Sequence, residues 1–248
     1  MQNNAGPVTR PGAANPGRLV RRRVLAPRGG RGYLRDIIYG AIDGSVTTFA
    51  LVAGVAGAGL SPTIILALGF ANVFADGFSM AAGNFSGTKA ELDDITRVRK
   101  MQAARIAEDL DSELVALRQI LSRKGLSGQT LEAVVGQISK NETLWIETVL
   151  EGEYGLATVD PHPMRAALAT FFAFLVAGLI PLIPFLLGVP NEFTVSAGLT
   201  LLTFFVIGAY KSVWSLSPWW RSGLETFLIG GVAASLAYFV GSLFNMGG

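Results

Sequence analysis

The sequence predicts an all-α membrane protein, with five transmembrane helices and a three-helix domain inserted between the second and third. Three observations carry that expectation. Half of the 248 residues are hydrophobic and only 15% are charged, whereas a soluble domain carries about a quarter charged residues. Mean hydropathy is +0.45. The charges are also segregated. Five stretches, 37–59, 61–88, 166–191, 193–210 and 222–248, hold at most one charge each, and a helix needs roughly 20 apolar residues to cross a bilayer.

The chain therefore divides into an Arg-rich tail (1–35), a first membrane pair (36–90), a charged middle domain (91–160) and three further spans (161–248). The tail holds eight arginines and no acid. Its Gly, Pro and Asn content reads as a disordered cytoplasmic tail that fixes orientation, with Arg21, Arg22 and Arg23 available to touch anionic lipid. The long apolar stretch that follows does not fit a signal peptide, and a tail joined directly to a span gives no reason to expect nucleic-acid binding. Turn-like breaks separate the spans at Gly59-Leu60-Ser61-Pro62, at Gly188-Val189-Pro190-Asn191 and at Ser215-Leu216-Ser217-Pro218. Bases concentrate in the tail, in the middle domain and at Lys211 and Arg221. The positive-inside rule then puts the N-terminus and middle domain in the cytoplasm and the C-terminus outside. Trp214, Trp219 and Trp220 read as an aromatic belt at that interface. A bare basic tail with no organellar signal is expected of a bacterial inner-membrane protein.

Composition narrows the chemistry. There is no cysteine, and His162 is the single histidine. Disulfides, thiolate sites and multi-histidine zinc sites are excluded. A metal must be held by carboxylates, amides, backbone carbonyls or thioethers. No nucleophile–base arrangement or cofactor loop is visible, so an enzyme is not expected. The Gly-rich segment 54–59 lies at the far end of a span with no lysine after it.

Two acids, Asp43 and Asp76, stand well inside apolar stretches. A charged carboxylate at the centre of a span costs at least ~2.5–3.5 kcal/mol on insertion scales. Each either faces a neighbouring helix that neutralises it or lines an ion or proton path. Spacing favours the path. Asn72, Asp76 and Met80 fall at i, i+4 and i+8, which aligns an amide, a carboxylate and a thioether on one stripe. Asp43 and the segment from Asp76 to Met80 fall at similar depth in adjacent antiparallel helices. Oxygen ligands with one thioether suit a divalent first-row cation such as Fe²⁺ or Mn²⁺. Small residues at four-residue spacing (Gly40 and Gly44, Ala50 and Gly54, Gly83 and Gly87) allow close helix approach, in a compact bundle or a dimer.

The middle region, 91–165, holds 13 acids and 9 bases. It reads as helices over about 89–124, 127–140 and 141–155, with Ser127 and Asn141 as N-caps. Asp109 with Glu113, and Glu147 with Glu151, are like-charged i, i+4 pairs, tolerated when solvated or when bridged by a cation. Glu108, Asp111 and Glu153 add to the acidic density. This is either an ordinary solvated surface or a site that collects divalent cations.

The segments 35–44, 71–85 and 87–91, with 145–156 at the end of the middle region, resemble the vacuolar iron transporter family over roughly 33–246. The resemblance implies a homodimer with a metal path at the two-fold axis between the first two helices of each subunit. It also implies proton-coupled export of Fe²⁺, often also Mn²⁺, from the cytoplasm, with the metal as transported substrate and no permanently bound cofactor. In such proteins the positions of Asp43 and Met80 line the path. Asn72 stands where the family often has glutamate, and Asp76, one turn on, is the acid available to supply that charge. Glu113 and Glu153 match the family's cytoplasmic metal-site positions. Glu108, Asp109 and Glu151 join them on spacing alone, and Val149 and Leu150 occupy a place where the family has methionine. The ferritin-like extension of some bacterial relatives is lacking. Two rivals stand beside this reading: a carrier of another solute that uses the acids for protons alone, and a non-transporting membrane metal sensor or scaffold acting through the helical domain.

Overall fold

The structure, a computed structural model, describes residues 33–156, 161–212 and 217–245. The tail through residue 32 and Trp214 lie outside these, so the readings of a disordered tail and of Trp214 in an aromatic belt fall beyond what is described. Every regular element among the described residues is helical: α1 (Leu34–Gly57), α2 (Pro62–Glu108), α3 (Leu110–Arg123), α4 (Gly128–Ile138), α5 (Glu142–Gly152), α6 (Pro163–Leu179), α7 (Ile183–Leu187), α8 (Glu192–Lys211) and α9 (Trp219–Asn245). A 3₁₀ turn, Ile180–Leu182, joins α6 to α7. Five helical stretches are long and apolar enough to span a membrane: α1, α2, Pro163–Leu187, α8 and α9. Apolar side chains such as Phe172, Val176, Val206, Val232 and Leu236 are more than half exposed around the bundle. Lipid covers such a surface, whereas water would penalise it.

Element ends follow from local chemistry. At the end of α1, Gly59 adopts φ +71°. The Leu60 and Gly59 amides bond back to the Val55 and Ala56 carbonyls at 3.2 and 3.0 Å, closing the helix in a Schellman turn. Ser61 and Pro62 then start α2, with proline where its missing N–H costs nothing. The third span changes geometry at Ile180–Leu182. Pro184 has no N–H to offer the Ile180 carbonyl in an α-helical ladder, and the adjacent Pro181 carbonyl accepts the Ser196 hydroxyl at 2.6 Å.

The expected helix over 89–124 is corrected. The second span continues unbroken for 47 residues to Glu108, about 70 Å at 1.5 Å per residue. The chain breaks at Asp109, whose φ of −143° and ψ of 81° are non-helical and whose Oδ1 accepts the Ser112 amide at 3.1 Å. Such a cap contributes about 1 kcal/mol. Asn141 caps α5 in the same way through the Leu144 amide. The domain has its own core of Leu117, Ile120, Leu121, Val135, Trp145 and Val149. Ile95 and Val98 of α2 pack with Leu150 and tie this core to the long helix.

In the bundle, α1 is central, touching α2, α6, α8 and α9. Its glycines permit this. A Cβ on Gly40 or Gly44 would lie 2.5 Å from the carbonyl oxygen of Thr170 or Phe174 in α6. At the other end a Cβ on Gly57 would strike the Tyr238 carbonyl of α9, and one on Gly241 of α9 would strike the Gly54 carbonyl. Gly40, Gly44 and Gly54 thus serve packing within one protomer.

Gly44→Val should disrupt the bundle, because overpacking costs about 1–3 kcal/mol even where side chains can yield, and here the obstacle is backbone. The expected result is a lower thermal midpoint in detergent, with loss of the monodisperse fraction on size exclusion. A Cβ on Gly136 of α4 meets nothing within 4 Å. Gly136→Ala should leave the midpoint unchanged or raise it, by about 0.5–1 kcal/mol at most.

Candidate metal path

The path begins with register. α1 and α2 run antiparallel, and among the described residues a direct side-chain bond joins their polar rows: Asn84 Nδ2 donates to Asp36 Oδ1 at 3.0 Å. Asp43 lies seven residues beyond Asp36, and Asp76 lies eight residues before Asn84. Both steps are about two turns, or roughly 10.5–12 Å along the axes. By this register Asp43 and Asp76 form the next rung, at similar depth on adjacent helices. Met80 stands midway between the rungs. Asn72 lies one turn beyond Asp76.

The four candidates Asp43, Asn72, Asp76 and Met80 are all half-buried. Among the described residues neither Asp43 nor Asp76 makes a salt bridge or accepts a side-chain hydrogen bond. The Thr47 hydroxyl, at 2.8 Å, goes to the Asp43 backbone carbonyl and not to its carboxylate. Asn72 Nδ2 is buried with no partner. Buried polar groups are ordinarily hydrogen-bonded, so an unsatisfied amide beside two unpaired carboxylates is a concentrated cost. The row offers carboxylate and amide oxygens and one thioether along about 12 Å of helix, a donor set that suits a divalent first-row cation.

Its borders differ. On one side of the row, Gly69, Val73, Gly77 and Ala81 of α2 are buried, with Gly69 and Gly77 against Leu182 and Phe174 of the third span. On the other side, Ala67, Ala71, Ala75, Ser79, Gly83 and Gly87 recur every fourth residue and all are exposed. A Cβ on Gly83 or Gly87 meets nothing within 4 Å. The row thus runs along the rim between a packed face and an uncovered one.

At the end nearer the inserted domain, Met80 opens onto a cavity of about 520 Å³ that Asp36, Asn84 and His162 also line. Sequence reasoning passed over Asp36 and Asn84. Asp36 looked like a charge flanking the first span. Asn84, a polar side chain inside an apolar stretch four residues beyond Met80, was the available signal.

The acids of the inserted domain are differently placed. Glu108 is exposed at the end of α2, and Glu153 is exposed just past α5. Asp109 is used as the cap of α3. Glu113 accepts Gln102 Nε2, and Glu151 pairs with Lys124 Nζ at 3.2 Å. Glu132 binds Arg118 through both carboxylate oxygens, which holds that guanidinium above its ordinary range. Val149 and Leu150, at the positions where methionine was expected, are fully buried in the domain's apolar cores. Among the described residues no three His, Asp or Glu side chains gather as a metal site. The five acids predicted here are dispersed and largely engaged by the domain's own donors.

Comparison with known proteins finds relatives along most of the chain. The chain is 32% identical to Vacuolar iron transporter 1 of Eucalyptus grandis over 241 residues, covering 96% of this chain and 97% of that one. It is 32% identical to Vacuolar iron transporter 1 of Arabidopsis thaliana over 209 residues, 83% of each. It is 28% identical to Vacuolar iron transporter of Toxoplasma gondii over 226 residues, 86% of this chain and 75% of that protein. With the profile of the VIT family also matching residues 34–242, the chain belongs to the VIT family.

Proposed function

We propose that this chain moves Fe²⁺ or Mn²⁺ out of the cytoplasm in exchange for protons, along a path that two copies enclose at their shared axis. The observation that carries the reading is the rung of Asp43 and Asp76: two carboxylates inside adjacent spans, near each other, with no base or donor to neutralise them. A divalent cation relieves their repulsion, and so does protonation. The two cargoes compete for the same oxygens, and competition for one site is the elementary requirement of exchange. Met80 adds a soft contact and Asn72 a neutral oxygen. The relatives' name, vacuolar iron transporter, supports iron as cargo. The basic tail, the mixed-charge domain, and Lys211 with Arg221 support a cytoplasmic N-terminus and domain.

The homodimer is supported by the uncovered face of α2. Small residues every fourth position let helix backbones approach closely in a membrane, and that face borders the polar row. A second copy seated on it would close the open side of the path. The engaged acids of the inserted domain favour transport through the spans over a sensor or scaffold that works through that domain. The latter predicts metal binding without flux.

In proteoliposomes, inward-acid gradients should drive Fe²⁺ or Mn²⁺ movement accompanied by counterflow of protons, read with a pH dye. Asp43→Ala and Asp76→Ala should each reduce metal flux at least about tenfold, the equivalent of 1.4 kcal/mol in the barrier. Flux that survives both substitutions together would falsify the mechanism. The triple variant Glu108→Gln, Glu151→Gln, Glu153→Gln should keep flux within about twofold, because exposed charges of this kind contribute little.

The absence of cysteine makes the dimer directly testable. A lone thiol at Ser79→Cys, on the uncovered α2 face, should yield a disulfide-linked dimer in membranes under mild oxidation. The same thiol at Val232→Cys, exposed on α9, should stay monomeric on denaturing gels.

A further inference from the structure

We infer that the cavity beside the inserted domain is a cation-docking vestibule in which Asp36 is the receiving carboxylate and Asn84 its positioning residue. The inference rests on the transport reading above for its purpose, but its geometry stands separately. The cavity of about 520 Å³ is bounded by α1, α2 and the start of α6, and Met80 and Asp36 share its wall. Asp36 and Asp43 lie seven residues apart on one face of α1. A cation at Asp36 is therefore about 10.5 Å along the helix from the Asp43–Asp76 rung, with Met80 between them.

Asn84 is what makes Asp36 a defined group. Its Nδ2 reaches Asp36 Oδ1 at 3.0 Å, the Thr170 hydroxyl at 2.7 Å and the Ala166 carbonyl at 3.3 Å. The Thr88 hydroxyl donates to its Oδ1 at 3.2 Å. One amide thus links α1, α2 and α6, and Thr170 and Thr88 are themselves buried. An amide held on both sides orients the carboxylate that it binds. It takes one oxygen of Asp36 and leaves the other with no partner among the described residues. The Arg35 guanidinium, which also lines the cavity, sits over the Tyr39 ring, 5.3 Å from its centroid, a cation–π contact. Glu91 and His162 line the cavity as well. Since no three acidic or histidine side chains converge among the described residues, the vestibule attracts and passes on a partly hydrated cation without chelating it.

The test separates charge from structure. Asp36→Asn keeps an acceptor for Asn84 and removes the charge. In proteoliposomes it should raise the half-saturating Mn²⁺ concentration about tenfold, as expected for losing one nearby charge in a partly desolvated site, while the maximal rate stays within about twofold. Asp36→Glu should restore half-saturation, and Asn84→Ala should raise it. Glu192→Gln, at the opposite end of the bundle, should do neither. A merely structural role would lower the maximal rate and leave half-saturation alone, and that outcome, or no change at all, overturns the inference. A second measurement does not depend on transport. In full-length protein carrying Asp43→Asn and Asp76→Asn, Mn²⁺ binding followed by electron paramagnetic resonance should show a weak site that Asp36→Asn removes. If that site is found and wild-type vesicles carry no metal, the transport reading fails and the vestibule stands. If adding Asp36→Asn leaves the binding unchanged, the vestibule fails whatever the flux.

Discussion

Backbone contact between α1 and α6 at Gly40 and Gly44 sets the geometry on which the rest depends. With no Cβ on either glycine, the α6 carbonyls of Thr170 and Phe174 come directly against α1. That contact fixes how α1 is rotated about its axis. At 100° per residue, Asp36 and Asp43 then lie on a neighbouring face, at the boundary between α6 and α2. A larger side chain at Gly44 would push α1 away and turn its two acids out of register with the α2 row. Asn84 locks the same arrangement from the other side, since its amide bonds to Asp36 and to Thr170 of the very turn that Gly40 packs against.

Once the register is fixed, electrostatics explains why the acids stand where they do. Asp43 and Asp76 are half-buried, near one another and unneutralised, which would be an unfavourable end state for a purely structural pair. Among the described residues no donor relieves it: the Thr47 hydroxyl, one turn on, bonds the Asp43 backbone carbonyl. The inserted domain behaves in the opposite way. Its acids cap a helix, accept from Gln102 or pair with Lys124 and Arg118. Asp109, Glu113, Glu132 and Glu151 of the domain thus have partners, whereas Asp43 and Asp76 have none among the described residues.

The spans were legible in the sequence because apolar length and charge segregation are one-dimensional properties. Asp43, Asp76 and Met80 were legible for the same reason: a charge in an apolar run and a four-residue period need no knowledge of tertiary structure. Two things were not. The break at Asp109 depends on a side chain competing for a backbone amide, a choice that helical periodicity does not reveal, so one helix was expected where α2 and α3 meet. The role of the glycine pairs depends on which helix lies opposite. Identical spacing serves α6 at Gly40 and Gly44 and faces open space at Gly83 and Gly87. Asn84 was overlooked because its importance lies in four bonds to three helices, and only one of those bonds, to Thr88, is local in sequence.

The domain acids show why acidic density is a poor guide to metal binding. Net negative charge over 91–165 is a sum, whereas a site needs three or more donors converging on one point. Helical geometry works against that convergence. Glu108 ends one helix and Asp109 is spent capping the next, so the two neighbours in sequence diverge around a sharp turn. Val149 and Leu150 face the apolar cores, while Glu147 is half-buried and Glu151 is exposed, with Lys124 reaching across to the latter. Neutralisation by an internal base costs the protein little and leaves nothing for a cation to gain. In the spans Glu225 of α9 pairs with Lys211 of α8 at 3.5 Å, whereas among the described residues no base pairs with Asp43 or Asp76.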